Sequence, residues 1–273
     1  MRLPGRLLGS LVSLSLGSCA PAAFALAGHD LGPATGARVG QPLVFSFNDD
    51  VDPGSVRGAA LRVVGERDGA EVQGSLEAQG ATLLFRPRLP LAADLKDGGL
   101  HPGERYRVEL PGLPKLRVLR GLTRGALAEG ASFEFTAIEL FVDPVPGPPA
   151  LLDDARHAPR LKEGKARLAF NEPLDPRAVA RAHFWLLGPW SRTLRASENP
   201  PMTARLVENQ VAAPGMPGAV IELTLAAAPP APLVPVESYE ILLEPEGLCD
   251  FGGHALQNRG AGPEQHVALI LER

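Results

Sequence analysis

Cysteine is nearly absent from this chain of 273 residues: Cys19 and Cys249 are the two present. At most one disulfide could form, so the fold is not a disulfide scaffold and has to rest on a packed core. Aromatic residues are also scarce, at 5%, with two tyrosines and two tryptophans. The 45% of hydrophobic residues therefore builds that core mainly from Leu, Val and Ala. Basic excess is missing too. Lys and Arg number 27 against 31 Asp and Glu, a formal charge of −4, which gives no electrostatic ground for binding nucleic acid. The six histidines show no H-E-x-x-H or comparable ligand spacing, and there is neither a G-x-S-x-G elbow nor a phosphate-binding loop. No cofactor is expected.

Glycine (30) and proline (28) are plentiful instead, about a fifth of the chain. Spread between short apolar runs, they read as many turns, which favours an all-β fold.

The N-terminus looks like a targeting segment. Arg2 and Arg6 precede an apolar run from Leu7 to Leu16, too short for the roughly 20 residues a spanning helix needs. The run ends in "LGSC", Leu16 to Cys19, which resembles the lipobox of bacterial lipoproteins. The resemblance implies a signal peptide over residues 1–18, lipidation of Cys19 and a membrane partner through that anchor. Ala20 after the cysteine implies the outer membrane. Gly17 is less usual at its position, and an ordinary secretory signal cut after "AFA" (Ala23 to Ala25) or "ALA" (Ala25 to Ala27) is the alternative. Losing residues 1–18 removes Arg2 and Arg6 and no acid, so the charge becomes −6. Cys249 is then left without an intrachain partner and is expected to be a small buried residue.

The body of the chain repeats itself. "FNDDVDPGSV" from Phe47 aligns without a gap to "FNEPLDPRAV" from Phe170, an offset of 123. A second block, "LHPGERY" against "LVPVESY", aligns Tyr106 with Tyr239 at an offset of 133. The ten extra residues are expected near Pro189 to Met202. A repeat this long is a whole domain. The expected plan is a tether over 19–32, a first domain over 33–141, a Pro-rich linker over 142–149 and a second domain over 150–273. Each copy shows short alternating runs, such as "LVFSF", "YRVEL", "FWLL" and "YEILL", separated by Gly/Pro turns. About seven strands in 110 to 120 residues is the profile of an Ig-like β-sandwich. Tyr106 and Tyr239 open matched strands, where such sandwiches place a tyrosine whose hydroxyl ties the preceding turn to the backbone.

"FSFNDDVDPGSV", "ATLLFRPRLPL", "LHPGERYRVEL" and "FEFTA" resemble the bacterial Ig-like domain of the surface-layer-protein type. "CDFGGHAL", Cys249 to Leu256, is similar to a turn of that family. The second copy has Pro235-Val236 for Pro-Gly and lacks the closing F-x-F-T. The resemblance implies a sandwich used in envelope and secreted proteins, and no catalytic residues.

The acidic stretch has three readings. Asp52 and Asp175, each followed by proline, fit helix N-caps. Asn48, Asp49, Asp50 and Asp52 could supply oxygens to Ca²⁺ in the first copy. Two carboxylates could also do acid–base work as in a glycosidase. The repeat favours capping, since Asp50 aligns with Pro173. Trp185 and Trp190 are a candidate glycan or partner surface, with packing against the inserted loop as the plain alternative. "KLRVLRGLTRG", Lys115 to Gly125, is either a solvated strand and loop or a patch for anionic glycans or lipid headgroups. The chain is therefore expected to be an exported, non-catalytic structural or binding module of the envelope. Its rivals are a carbohydrate-binding module using Trp185 and Trp190, and a secreted hydrolase with a carboxylate pair.

Overall fold

The computed structural model describes residues 22–272 except 32–35, 58–59, 142–144, 146, 153, 194–197, 213–214, 235–237, 245–246 and 258–263. The segment 1–18, Cys19 and half of the linker lie outside the described residues. The fold is all-β, as the runs separated by turns predict. The first copy holds β1 (Leu26–His29), β2 (Ala37–Val39), β3 (Leu43–Phe47), β4 (Arg62–Gly65), β5 (Gly74–Gln79), β6 (Thr82–Pro87), β7 (Arg105–Leu110), the short hairpin β8 (Arg120–Gly121) and β9 (Gly125–Ala126), and β10 (Ala131–Phe141). Two four-stranded sheets, β1-β3-β6-β5 and β2-β10-β7-β4, face each other. Alternation sets the faces: Leu43, Phe45 and Phe47 of β3 point inward, as do Tyr106, Val108 and Leu110 of β7.

The second copy follows with β11 (Arg160–Leu161), β12 (Lys165–Phe170), a helical turn α1 (Pro176–Val179), β13 (Phe184–Leu187), β14 (Pro201–Asn209), β15 (Ala219–Leu225), β16 (Tyr239–Leu243) and β17 (Gln265–Leu271). Here one sheet runs β11-β17-β16-β13-β14-β15-β12. Apart from β1, whose place is taken by the isolated bridge Leu151↔Phe170, the order matches the first copy, but β13 pairs with β14 through Phe184↔Met202 and Trp185↔Pro201, which joins the two layers. The opposite edges, β11 and β12, are linked by the bridge Lys162↔Lys165 across a turn. Glu163 and Gly164 of that turn both take positive φ, the geometry of a tight two-residue hairpin. The sheet therefore nearly closes on itself.

The added length is not a single ten-residue insertion. Ile221, paired with Leu168, stands 138 residues after Leu83, which pairs with Phe45. Set against 123 at the caps and 133 at the tyrosines, the second copy has gained fifteen residues before β15 and the first has five more before its tyrosine. Those five fall in the loop after β6, which reaches the other copy. Leu91 packs against the second core. Asn209 Nδ2 donates to the Pro90 carbonyl and to the Leu174 carbonyl, each at 2.9 Å.

The expected tether over 19–32 is corrected by the structure. Phe24 is fully buried, its ring 5.0 Å from Phe47, and β1 pairs with β3. A Cβ on Gly121 would come within 2.7 Å of the Phe24 ring, so only glycine permits this seat. "LAGH" has no apolar alternation, and its role depends on the neighbour it joins. The first sandwich thus begins no later than Phe24, and the chain between Cys19 and the fold is short.

Candidate functional site

The acidic stretch sits at the end of the first sandwich where β3 and β7 finish and β4 and β10 begin. The side chains of Asn48, Asp49 and Asp52 all meet backbone. Asn48 Oδ1 accepts from Ala25 N–H at 2.9 Å, and Asn48 Nδ2 donates to the Ala23 carbonyl at 2.9 Å. Asn171 repeats the clamp on Ala150 N–H. Asp49 Oδ2 accepts from the Thr123 and Arg124 amides at 2.8 and 2.9 Å and from the Thr123 hydroxyl at 3.0 Å. The Thr123 amide is the main cause holding the Asp49 carboxyl below the usual carboxylate range. Asp49 therefore fixes the tip of the β8–β9 hairpin. Asp50 is exposed.

Asp52 Oδ1 accepts from Gly54 N–H at 2.9 Å and begins a 3₁₀ turn, Pro53–Ser55. Asp175 Oδ1 accepts from Arg177 N–H at 2.8 Å and begins α1, with proline at the first position in both copies. The pair is not equivalent throughout. Asp175 also takes a fork from the Arg177 guanidinium, at 2.9 Å to Oδ1 and 2.7 Å to Oδ2, and is buried. Asp52→Asn should thus be mild, whereas Asp175→Asn breaks a charge-assisted pair. Asp→Ala at either position should cost about 0.5–2 kcal/mol, with Asp175 at the upper end. Thermal melts of the four single variants, with calcium and with chelator, check this. A chelator-induced loss confined to the first domain and abolished by Asp52→Asn would assign the stretch to calcium instead. Among the described residues, no three His, Cys, Asp or Glu side chains gather as a metal-holding group.

Tyr106 Oη accepts from His101 N–H and Tyr239 Oη from Val234 N–H, both at 2.7 Å and both five residues upstream. Burial, chiefly, pushes the Tyr106 hydroxyl up to about 12. Cys249 is half-buried, its thiol also pushed up by burial, while its carbonyl accepts from Asp175 N–H.

The tryptophans do not form one surface, which corrects the paired ligand reading. Trp190 packs on the second core, 5.9 Å from the Tyr239 ring, and a Cβ on Gly188 would meet its ring at 2.6 Å. Trp185 faces away from buried Phe184 and Leu186, as alternation predicts, and stacks on exposed His183 at 5.8 Å.

Two further hollows lie away from the acidic stretch. One of about 530 Å³ lies at the seam between the copies, against Gln73, Arg86, Arg88 and Gln210. Another, about 620 Å³, lies on the second copy, where Arg160 pairs with Glu272 and Arg167 with Glu222. Arg167 first, then Arg205, holds the Glu222 carboxyl below its usual range. These are cross-strand pairs on a solvated sheet face.

The sequence matches no protein-family model and no curated protein. Among solved structures, the N-terminal part of the bacterial S-layer protein SbsC aligns over 92% of this chain and 45% of its own, with 10% identity and a TM-score of 0.30. The chain thus spans less than half of that structure. Native alpha-2-macroglobulin from Escherichia coli, spanning domains MG0-NIE-MG1, aligns over 92% of this chain and 72% of its own, with 14% identity and a TM-score of 0.35. The LD transpeptidase LdtMt1 in complex with imipenem aligns over 67% and 75%, with 14% identity and a TM-score of 0.25. Likenesses at this level carry no argument about activity or partners.

Proposed function

We propose that this chain is an exported, lipid-anchored structural module of the bacterial envelope, two sandwiches carried outward from an acylated Cys19. The observation that supports it is the burial of Phe24 and the pairing of β1. Cleavage after Ala25 would remove a core side chain, and cleavage after Ala27 would also cut β1 in two. Cleavage before Cys19 leaves the whole fold intact. The polar residues shared by the copies, Asn48/Asn171, Asp52/Asp175 and Tyr106/Tyr239, bind the protein's own backbone.

Intact mass of the protein extracted from membranes should show a mature chain beginning at a diacylated or triacylated Cys19. A soluble species beginning at Leu26 or Gly28 would overturn the reading.

A further inference from the structure

Six large hydrophobic side chains stand exposed among the described residues, and three of them fall within ten positions: Leu113 at 55%, Leu116 at 100% and Leu122 at 62%. Scattered exposed leucines need no explanation, but a cluster on one loop system does. Leu113 and Leu116 lie in the loop after β7, and Leu122 lies in the β8–β9 turn. The two segments are held together, since Leu113 N–H donates to the Leu127 carbonyl and Leu127 N–H to the Leu119 carbonyl. Lys115, Arg117, Arg120 and Arg124 are interleaved with the leucines and exposed. Arg57 shares a hollow with Leu116, Arg117 and Arg120. Asp49 and Asp52, the nearby acids, are committed to backbone amides, while Asp50 and Glu129 are exposed.

The N-terminal segment emerges at the same place. Arg124 Nη1 donates to the Ala22 carbonyl at 3.3 Å, and Ala128 N–H donates to the Phe24 carbonyl. Ala22 is three residues past Cys19, a reach of at most about 10 Å. β3 and β7 both end at this face, and β10 leads from it toward the second copy at the other end.

We infer that this face of the first sandwich rests on an anionic lipid bilayer, with Leu113, Leu116 and Leu122 in the interfacial region and the cations at the headgroups. It rests on the reading of Cys19 as the anchor. Acyl chains hold the protein to the membrane, and the leucines set its orientation, so the second sandwich points away from the surface.

The test separates docking from acylation. The mature chain, carrying Cys249→Ser and an N-terminal hexahistidine tag in place of the acylated Cys19, is tethered to nickel-chelating vesicles rich in phosphatidylglycerol. An environment-sensitive fluorophore is attached to Leu116→Cys or, as a control, to Ile270→Cys. Acrylamide quenching at 116 should fall about three-fold or more on vesicles, as expected for burial at an interface, and stay unchanged at 270. Adding Leu113→Asp and Leu122→Asp should restore quenching at 116. Equal quenching at both positions overturns the inference. So does shielding produced by soluble polygalacturonate but not by vesicles, which would assign the face to an acidic glycan. Failure of the anchor reading would appear separately, in the mass of Cys19.

Discussion

Phe24→Ala should destabilise the first sandwich by about 3–5 kcal/mol, the usual cost of emptying a buried phenylalanine site. The ring is fully buried, stacks on Phe47 and lies over Gly121, so little around it can collapse into the space. Its backbone is equally engaged: the carbonyl accepts from Ala128, and the flanking Ala23 and Ala25 are clamped by Asn48. Hydrogen exchange is the suitable measurement, because β3 and β6 amides report the first core and β12 and β15 amides the second. Protection should fall in the first pair and persist in the second. A variant that keeps full protection in β3 would show that the N-terminal segment is dispensable. The support for cleavage upstream of it would then be lost.

How much of this was legible in the sequence depends on the range of the signal. The alternation of "LVFSF" and "YEILL" gave the inward faces, because side-chain period is a local property. The caps and tyrosines were legible because the copies repeat them, and each bonds within two to five residues of itself. The strand at Leu26–His29 was not: Gly28 interrupts it, and "AFALA" also fits the pattern of a cleavage site. Trp190 read as a loop residue, and only the glycine at 188 hinted at a ring laid over backbone. The paired tryptophan surface failed for that reason. The bonds of Asn209 span 35 and 119 residues, and no local pattern announces them.

Asn209 gives the second large effect. Its Oδ1 accepts from Leu174 N–H at 3.0 Å, and its Nδ2 is shared between the Leu174 and Pro90 carbonyls. The residue is buried at the end of β14, so water does not readily replace it. Asn209→Ala leaves three backbone groups without this partner, and each buried group stranded costs about 1–3 kcal/mol. Leu174 precedes the Asp175 cap, so the second sandwich should lose stability and the Leu174 amide its protection. The bond to Pro90 crosses the seam, so the variant should also loosen the first copy from the second. Leu91→Ala separates the two consequences. It empties the contact between Leu91 and the second core but leaves Leu174 bonded, and it should free the seam with a smaller fall in melting temperature. Calorimetry of both variants, with exchange at Leu174, makes the distinction. If Asn209→Ala melts as the parent does and Leu174 stays protected, the tie is not structural, and the second sandwich is not held at a fixed angle to the first.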